Sequence, residues 1–477
     1  MGIAQVLALL YGLTLCPTVY WYDSAEFAAM AVDLGVPHPP GYPLYTLLAH
    51  LFTYLPVEPA LALNLMSLVF GIGSVLLVYW LSAYRLSPGP KPQLAGGAVA
   101  ALTLGTSHTY WANSVVAEVY TVGLFFSLGV FALLIEAAHR RRDRWVVLAG
   151  LLGGLGVGVH MSIATLGLGY IWLILVHPPA ISKRSLWPRT KLALKAAVAS
   201  VMGLLVFLYI PLSVRAHGVW LSLHHFVNVI AAKTFQSFFL EEYKLLPRLH
   251  KLWLILVDEL SLVGLVLVLI GAVWLLRKRP HQAIALLLCG AGNLYWFFNY
   301  EVHDPEVFFL PAIAIGAIFI GAAAQATMQL LARAHRWAPA AGLCFFALPL
   351  YSGAQNYEKV DLSREYEAAF YGDAVCASIE DGAVLVHYST PREWRRYSVF
   401  LYQQLALHKC GNAMIWGHAP PEQLTEMVRS GTPVYLFRRL FARVPAELWI
   451  EPAGVLFRLR LRASEDDEDE DEDDEEE

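Results

Sequence analysis

Trp21-Tyr22-Asp23-Ser24-Ala25-Glu26-Phe27, continued by His38-Pro39-Pro40-Gly41-Tyr42-Pro43, follows an apolar run over residues 2–20. A run of that length reads as a membrane span, so two carboxylates and a histidine stand where the chain leaves the bilayer. A partly desolvated carboxylate beside aromatic rings is a candidate proton acceptor. The same residues have a plainer use, because Asp23 as N-cap and Glu26 three positions on spell a capping box. The two uses are compatible, since a cap also fixes the geometry that a base needs.

The rest of the chain agrees with a membrane setting. Of 477 residues, 57% are hydrophobic and 15% charged, and the mean hydropathy is +0.50. That composition excludes a soluble globular protein and predicts a polytopic α-helical membrane protein. The formal net charge of −5 conceals a division: residues 464–477 carry thirteen acids and no base, and the remainder is +8. A like-charge block cannot pack, so 463–477 is expected to be a disordered acidic tail. The first span has no short signal-peptide pattern before Asp23 and reads as a retained, targeting helix. The five cysteines lack metal-site spacing, and Cys16, Cys289 and Cys344 fall in apolar runs as small core residues.

Apolar runs of bilayer length predict about eleven transmembrane helices, near 3–20, 60–81, 94–112, 115–137, 145–160, 162–177, 194–213, 253–276, 282–299, 307–332 and 338–354. Basic residues mark alternate connections: Arg85 and Lys91; Arg140 to Arg142 with Arg144; Lys183, Arg184, Arg189, Lys191 and Lys195; Arg277 to Arg279; Arg333 and Arg336. The positive-inside rule makes that side cytoplasmic. It puts the N-terminus inside, and it puts Asp23, His38, the turn at 108–113, the turn at His160, the 214–252 segment, residues 300–306 and the C-terminal part outside. The location is the plasma or inner membrane or its equivalent.

The transmembrane domain is read as 1–354, with interfacial elements at 21–59 and 214–252. In the first, residues 24–34 and 45–54 are expected to be short interfacial helices joined by the Pro-Pro-Gly turn. The second is basic and amphipathic and suits an anionic headgroup, although ordinary solvated charge would look the same. Residues 355–462 read as a small extracytoplasmic α/β domain, with helices near 362–380, 391–408 and 420–430 and strands at 383–387, 413–416, 433–437 and 455–461. No glycine-rich phosphate loop follows a strand, so nucleotide binding is not expected; no nucleic-acid partner is expected either. Cys376 and Cys410 share this domain and could pair in an oxidising compartment.

Polar groups in an apolar framework are functional candidates. They are Glu118, which opens the fourth span; His160, in Gly-Leu-Gly-Val-Gly-Val-His; Arg215, which closes the seventh; and Tyr300, His303, Asp304 and Glu306 before the tenth. Each alone could be an anchor or cap. Together they gather at the outer helix ends and suggest an outward cavity, in which His160, Arg215 and His303 hold a phosphate while Asp23 or Glu26 takes a proton.

Asp-Ser-Ala-Glu-Phe at 23–27, Leu-Gly-Val-Pro-His-Pro-Pro-Gly-Tyr-Pro-Leu-Tyr at 34–45, Asn64 to Ser67, Trp111 to Tyr120, Gly158-Val159-His160, Tyr209 to Arg215 and Tyr300 to Pro305 resemble a membrane family long described only as a domain of unknown function. Its animal member is a protein O-mannosyltransferase acting on plexin-type receptor domains. The resemblance covers about residues 5–330 and extends weakly into the α/β tail. It implies a GT-C-like glycosyltransferase, whose relatives take sugar from a polyprenyl-phosphate carrier on the outer or lumenal face. Carried over, Asp23 or Glu26 is the base, Glu118 resembles a second acidic site, and His160 occupies a turn where relatives place a cation for the lipid phosphate. Related transferases often have Asp-Glu adjacent, whereas here the acids are three apart, which leaves the choice of base open.

The implied chemistry is an inverting displacement of mannose from polyprenyl phosphate onto an acceptor hydroxyl of a protein Ser/Thr or a glycan, with His38 and Tyr42 positioning donor or acceptor. No cofactor is required, since phosphate is already a good leaving group; a divalent cation on Asp23 and Glu26 remains an option. The rival is a transporter or lipid flippase with an outward polar cavity. Against it, the halves show no inverted repeat.

Overall fold

A computed structural model describes residues 2–88, 91–176, 187–238, 245–300, 302, 304–334, 338–388, 390–438 and 443–462. Helices run in chain order as α1 Gly2–Thr14, α2 Asp23–Asp33, α3 Pro43–Phe52, α4 Pro59–Trp80, α5 Leu94–Gly105, α6 His108–Ala112, α7 Val119–Arg140, α8 Arg144–Val157, α9 Gly167–Val176, α10 Trp187–Leu204, α11 Tyr209–Ala216, α12 Leu223–Ile230, α13 Leu245–Lys278, α14 Pro280–Phe298, α15 Leu310–Ala334, α16 Ala347–Val360, α17 Glu367–Ser378, α18 Pro391–Leu401 and α19 Pro421–Arg429. Helix is found along each of the eleven expected runs. Among the described residues, five stretches are both long and apolar enough to cross a membrane: Pro59–Arg85, Val119–Arg140, Arg189–Ala216, Leu245–Lys278 and Pro305–Ala332. The other apolar helices are shorter, partly because several runs end in a turn or a 3-10 segment, as at Gly105 and Val157.

The chain divides into two compact units, and not at residue 354 as the sequence suggested. The first comprises Met1–Pro17, Leu34–Val57 and Leu61–Arg364; the second comprises Thr18–Asp33, Glu58–Ala60 and Glu365–Glu477. Side-chain bonding explains why the early segments belong to the second unit. Glu58 accepts hydrogen bonds from the Thr18 hydroxyl at 2.8 Å and the Tyr402 hydroxyl at 2.6 Å. The Trp21 indole donates to Glu367 at 3.3 Å, and the Arg395 guanidinium lies 4.0 Å from the Trp21 ring.

In the first unit α15 is the most enclosed of the membrane-length helices. Small residues let its neighbours approach: a Cβ on Gly271 of α13 would lie 1.8 Å from the Phe319 carbonyl oxygen of α15, and one on Gly154 of α8 would lie 2.0 Å from that of Ser200 on α10. The turn at 38–42 is held the same way. Gly41 has φ +90, and a Cβ there would come within 2.8 Å of Ile210 on α11. The same helix fixes the turn's start, because the Tyr209 and Ser213 hydroxyls donate to the Leu34 carbonyl at 2.7 and 2.6 Å.

The second unit contains a five-stranded sheet of β1 Val384–His387, β2 Met414–Gly417, β3 Val434–Leu436, β4 Leu448–Ala453 and β5 Leu456–Leu461, in the order β2-β1-β3-β5-β4. β1 is parallel to β2 and β3, whereas β5 is antiparallel to β3 and β4. Alternation along the strands sorts the core onto two faces. Val384, Val386, Val434 and Leu436 meet Leu424 of α19, and Leu385 and Tyr435 meet Val375 of α17 and Phe400 of α18. Sequence reasoning missed β4, whose Pro452 argues against a strand; the position is tolerated because β4 is the sheet's edge. Cys376 and Cys410 form a disulfide.

Candidate functional site

Within the second unit, the two acids of the opening motif occupy the first turn of α2, where a negative charge complements the helix N-terminus. The capping-box expectation needs adjustment. Asp23 is already helical, the residue before it, Tyr22, has φ 59, and an Asp23 carboxylate oxygen accepts the Trp394 indole N–H of α18 at 2.9 Å. Asp23 is half-buried and Glu26 is only 4% exposed. Glu26 lies near the Tyr397 hydroxyl, whose pKa is pushed up to about 12, chiefly by burial and then by the Glu26 charge. Asp23 is thus oriented by a donor and accessible, whereas Glu26 is enclosed.

Within the first unit, the turn carrying His38 and Tyr42 joins His160 in one aromatic array. His38 Nε2 lies 3.1 Å from the Tyr42 hydroxyl, and the Tyr42 ring stacks on the His160 ring at 6.0 Å and 17°. Tyr120 and Phe308 close on His160 at 5.3 and 5.7 Å, and Tyr300 meets Phe308 edge-on at 5.5 Å. His160 Nδ1 receives the Ser162 backbone N–H at 3.2 Å and is 2.7 Å from the Ser162 hydroxyl. That bonding assigns the ring proton to Nε2. Burial, with a smaller contribution from nearby His38, lowers the His160 pKa to about 4. The ring is therefore neutral at neutral pH. It can donate one hydrogen bond to a phosphate or sugar oxygen, but it is not the cation expected from the sequence, because an enclosed site penalises the imidazolium.

The remaining candidates are placed as follows. Glu118 is the N-cap of α7; its backbone N–H donates to the Ser67 hydroxyl at 3.2 Å, and its charge acts on Tyr45. Tyr300 is half-buried, and its pKa is pushed up to about 12 by burial first and the Asp304 carboxylate second. Asp304 caps the 3-10 turn Pro305–Phe309. Arg215 is exposed, and its guanidinium lies over the Trp220 ring at 5.7 Å. His303 lies outside the described residues, as do Lys183, Arg184 and the acidic tail. Sequence reasoning passed over Asp258 and Glu259, which fall inside the expected span 253–276. Two adjacent acids in an otherwise apolar run were the available signal. A basic-rimmed cleft lined by Arg248, Lys251, Phe297, Phe298 and Tyr300 was also not anticipated as a unit.

The arrangement of the helices is a known one. The structure superposes on ArnT from Cupriavidus metallidurans bound to undecaprenyl phosphate with a TM-score of 0.61 over 97% of this chain and 98% of that one, at 12% identity. The apo form of that protein gives 0.62 over 96% of each chain, at 13% identity. The fold is therefore like that of ArnT. Residues 23–183 match the family model described as the protein O-mannosyl-transferase TMEM260 N-terminal domain. The protein O-mannosyl-transferase TMEM260 of Mus musculus is 29% identical over 343 residues, which is 66% of this chain and 47% of the relative. The Dictyostelium discoideum protein of the same name is 32% identical over 75 residues, 15% of this chain and 9% of the relative. The chain thus spans about half the length of the mouse relative.

Proposed function

We propose that this protein is a membrane glycosyltransferase that moves mannose from a polyprenyl-phosphate donor to an acceptor hydroxyl, that of a protein Ser or Thr. The observation that carries the reading is the extent of the family match. It runs from Asp23 to residue 183 and takes in Glu26, His38, Tyr42, Glu118 and His160. A donor linked to polyprenyl phosphate is in keeping with the GT-C fold, which ArnT displays with undecaprenyl phosphate bound. The basic connections, read by the positive-inside rule, favour a cytoplasmic N-terminus, eleven crossings and an extracytoplasmic C-terminal domain.

The mechanism is a single displacement with inversion. The acceptor oxygen bonds to the sugar's anomeric carbon as the bond from that carbon to the phosphate oxygen breaks, and the polyprenyl phosphate departs with the electron pair. Its charge makes a general acid unnecessary; a base must take the acceptor's proton. Asp23 is the group we assign, because the Trp394 indole orients it and it is the more accessible of the two acids. Glu26 supports the first turn of α2. His160 Nε2–H and the His38–Tyr42 pair supply hydrogen bonds to the donor's sugar or phosphate, on an aromatic wall suited to a sugar ring. Tyr300, Asp304 and Glu118 complete the polar set, and Arg215 and His303 are the cations retained for the phosphate. No cofactor is needed for this displacement.

The test is transfer of labelled mannose from polyprenyl-phosphate mannose by the purified protein in membranes, with protein and lipid products separated. Label in protein that depends on Asp23 is the expected result. Absence of transfer from any common polyprenyl-linked sugar by well-folded protein would move the reading to transport.

A further inference from the structure

The proposed transfer leaves one cluster of ligating side chains unused. In the first unit His108 opens α6, and Asp258 and Glu259 stand side by side on α13. One ligating atom from each of the three lies within 4.8 Å of the other two. Glu259 is 4% exposed. Its Oε1 accepts the Thr109 backbone N–H at 3.0 Å and also the Thr109 hydroxyl. Its Oε2 is buried with no hydrogen-bond partner among the described residues. Leaving a buried polar oxygen bare costs roughly 1–3 kcal/mol, and more when it carries charge, unless something positive rests against it.

The surroundings favour a cation. The carboxylates of Asp258 and Glu306 both act on His108, opposed by Lys359. The His108 imidazole offers a ring nitrogen beside the two carboxylates. Two residues past Glu259 the helix is interrupted at Ser261, with φ 60 and ψ 163, and the Ser261 hydroxyl caps the restart by accepting the Gly264 N–H at 3.1 Å. The break re-aims the turn bearing the two acids. Asp258 is exposed, and under the positive-inside reading of Arg277 to Arg279 the two acids lie toward the extracytoplasmic end of α13, within reach of dissolved ions.

We propose that His108, Asp258 and Glu259 form a binding site for a divalent transition cation of the Zn²⁺ type, which ties α6 to α13 beside the Ser261 break. One imidazole with two carboxylates is a donor set that Zn²⁺ accepts, whereas hard Ca²⁺ and Mg²⁺ prefer oxygen alone. Bond lengths of about 2.0–2.1 Å place tetrahedral ligands roughly 3.3 Å apart, so the three atoms need only small rotations to close on an ion. The ion would also meet the bare carboxylate oxygen. The clamp would hold α6, which leads directly into the Trp111–Tyr120 stretch and Glu118.

The experiment uses the full chain in detergent or nanodiscs, stripped with EDTA and dialysed. Zn²⁺ and Ca²⁺ are titrated separately by calorimetry, thermal unfolding is followed with and without Zn²⁺, and Co²⁺ is added as an absorbing substitute. Wild type should take up one Zn²⁺ and no Ca²⁺, gain in unfolding temperature, and show a Co²⁺ d–d band. His108→Asn, Asp258→Asn and Glu259→Gln should each weaken Zn²⁺ by more than roughly 100-fold, beyond the usual effect of an outer-shell change, and His108→Asn should alter the Co²⁺ band. Asp258 is exposed, so its variant tests the site even if the buried Glu259 variant fails to fold. The chain has 16 histidines; saturable Zn²⁺ binding that survives Asp258→Asn and His108→Asn unchanged would place the ion elsewhere and overturn the proposal, as would no saturable binding. The readouts are metal uptake and stability, so they stand whether or not sugar transfer is found.

Discussion

Replacing Asp23 by asparagine removes the proposed base while keeping the shape of its surroundings. The carboxylate accepts the Trp394 indole N–H at 2.9 Å, and an asparagine carbonyl oxygen can accept the same bond. What folding loses is the charge assistance of one hydrogen bond, about 1 kcal/mol. What the reaction loses is the proton acceptor, about 10²–10⁴-fold in rate, or roughly 3–5 kcal/mol on the barrier. The assay is initial-rate transfer of labelled mannose from polyprenyl-phosphate mannose, run beside a thermal unfolding curve of the same preparation. Trp394→Phe offers an internal check, because it keeps the carboxylate and removes the group that orients it. A hydrogen bond of about 1–1.5 kcal/mol corresponds to about tenfold, so this variant should fall between wild type and Asp23→Asn. Activity in Asp23→Asn close to wild type would refute the assignment. If Glu26→Gln is then the inactive variant, the buried acid is the base; if both are active, carboxylate base catalysis from this turn is wrong.

Further tests follow from other parts of the structure. The pKa of His160, lowered to about 4 by burial, means that unfolded chain binds a proton there before folded chain does. Stability should therefore fall as pH drops from about 6.5 toward about 4 and level off below, by about 3 kcal/mol from this group; thermal unfolding of wild type and His160→Gln across that window should differ, and parallel curves would contradict the burial. Reduction of the Cys376–Cys410 disulfide, which spans 34 residues, should destabilise the second unit by about 3–4 kcal/mol, visible as earlier unfolding in dithiothreitol. Gly271→Val places side-chain atoms where a Cβ alone would lie 1.8 Å from the Phe319 carbonyl. It should abolish recovery of monodisperse protein, and normal recovery would mean that α13 and α15 pack differently.

Much of the architecture was legible because periodicity and length leave few options in a bilayer. Eleven transmembrane helices were expected; helix lies along all eleven runs and five stretches among the described residues are of membrane length, and the two short helices flanking the Pro-Pro-Gly turn are present. The sheet of the second unit was read from short apolar runs, except for β4, where Pro452 masked an edge strand. The approach of His38, Tyr42 and His160 was suggested only by their shared motif character. Their contacts depend on Gly41 and α11, which are far apart in the chain. Asp258 and Glu259 were visible as letters, but the apolar count of the surrounding run concealed them.

The sequence by itself determined that the chain is a many-helix membrane protein and which family motif residues 23–45 resemble, because these follow from hydropathy and local spelling. Tertiary structure decided the protonation of His160, since its neutrality comes from burial by residues as distant as Phe308. It also decided that Trp394, 371 positions along the chain, orients Asp23, and that Glu259 bonds Thr109, next to His108, across 150 residues. Desolvation and long-range hydrogen bonding are properties of the packed molecule, and no local pattern in the chain encodes them.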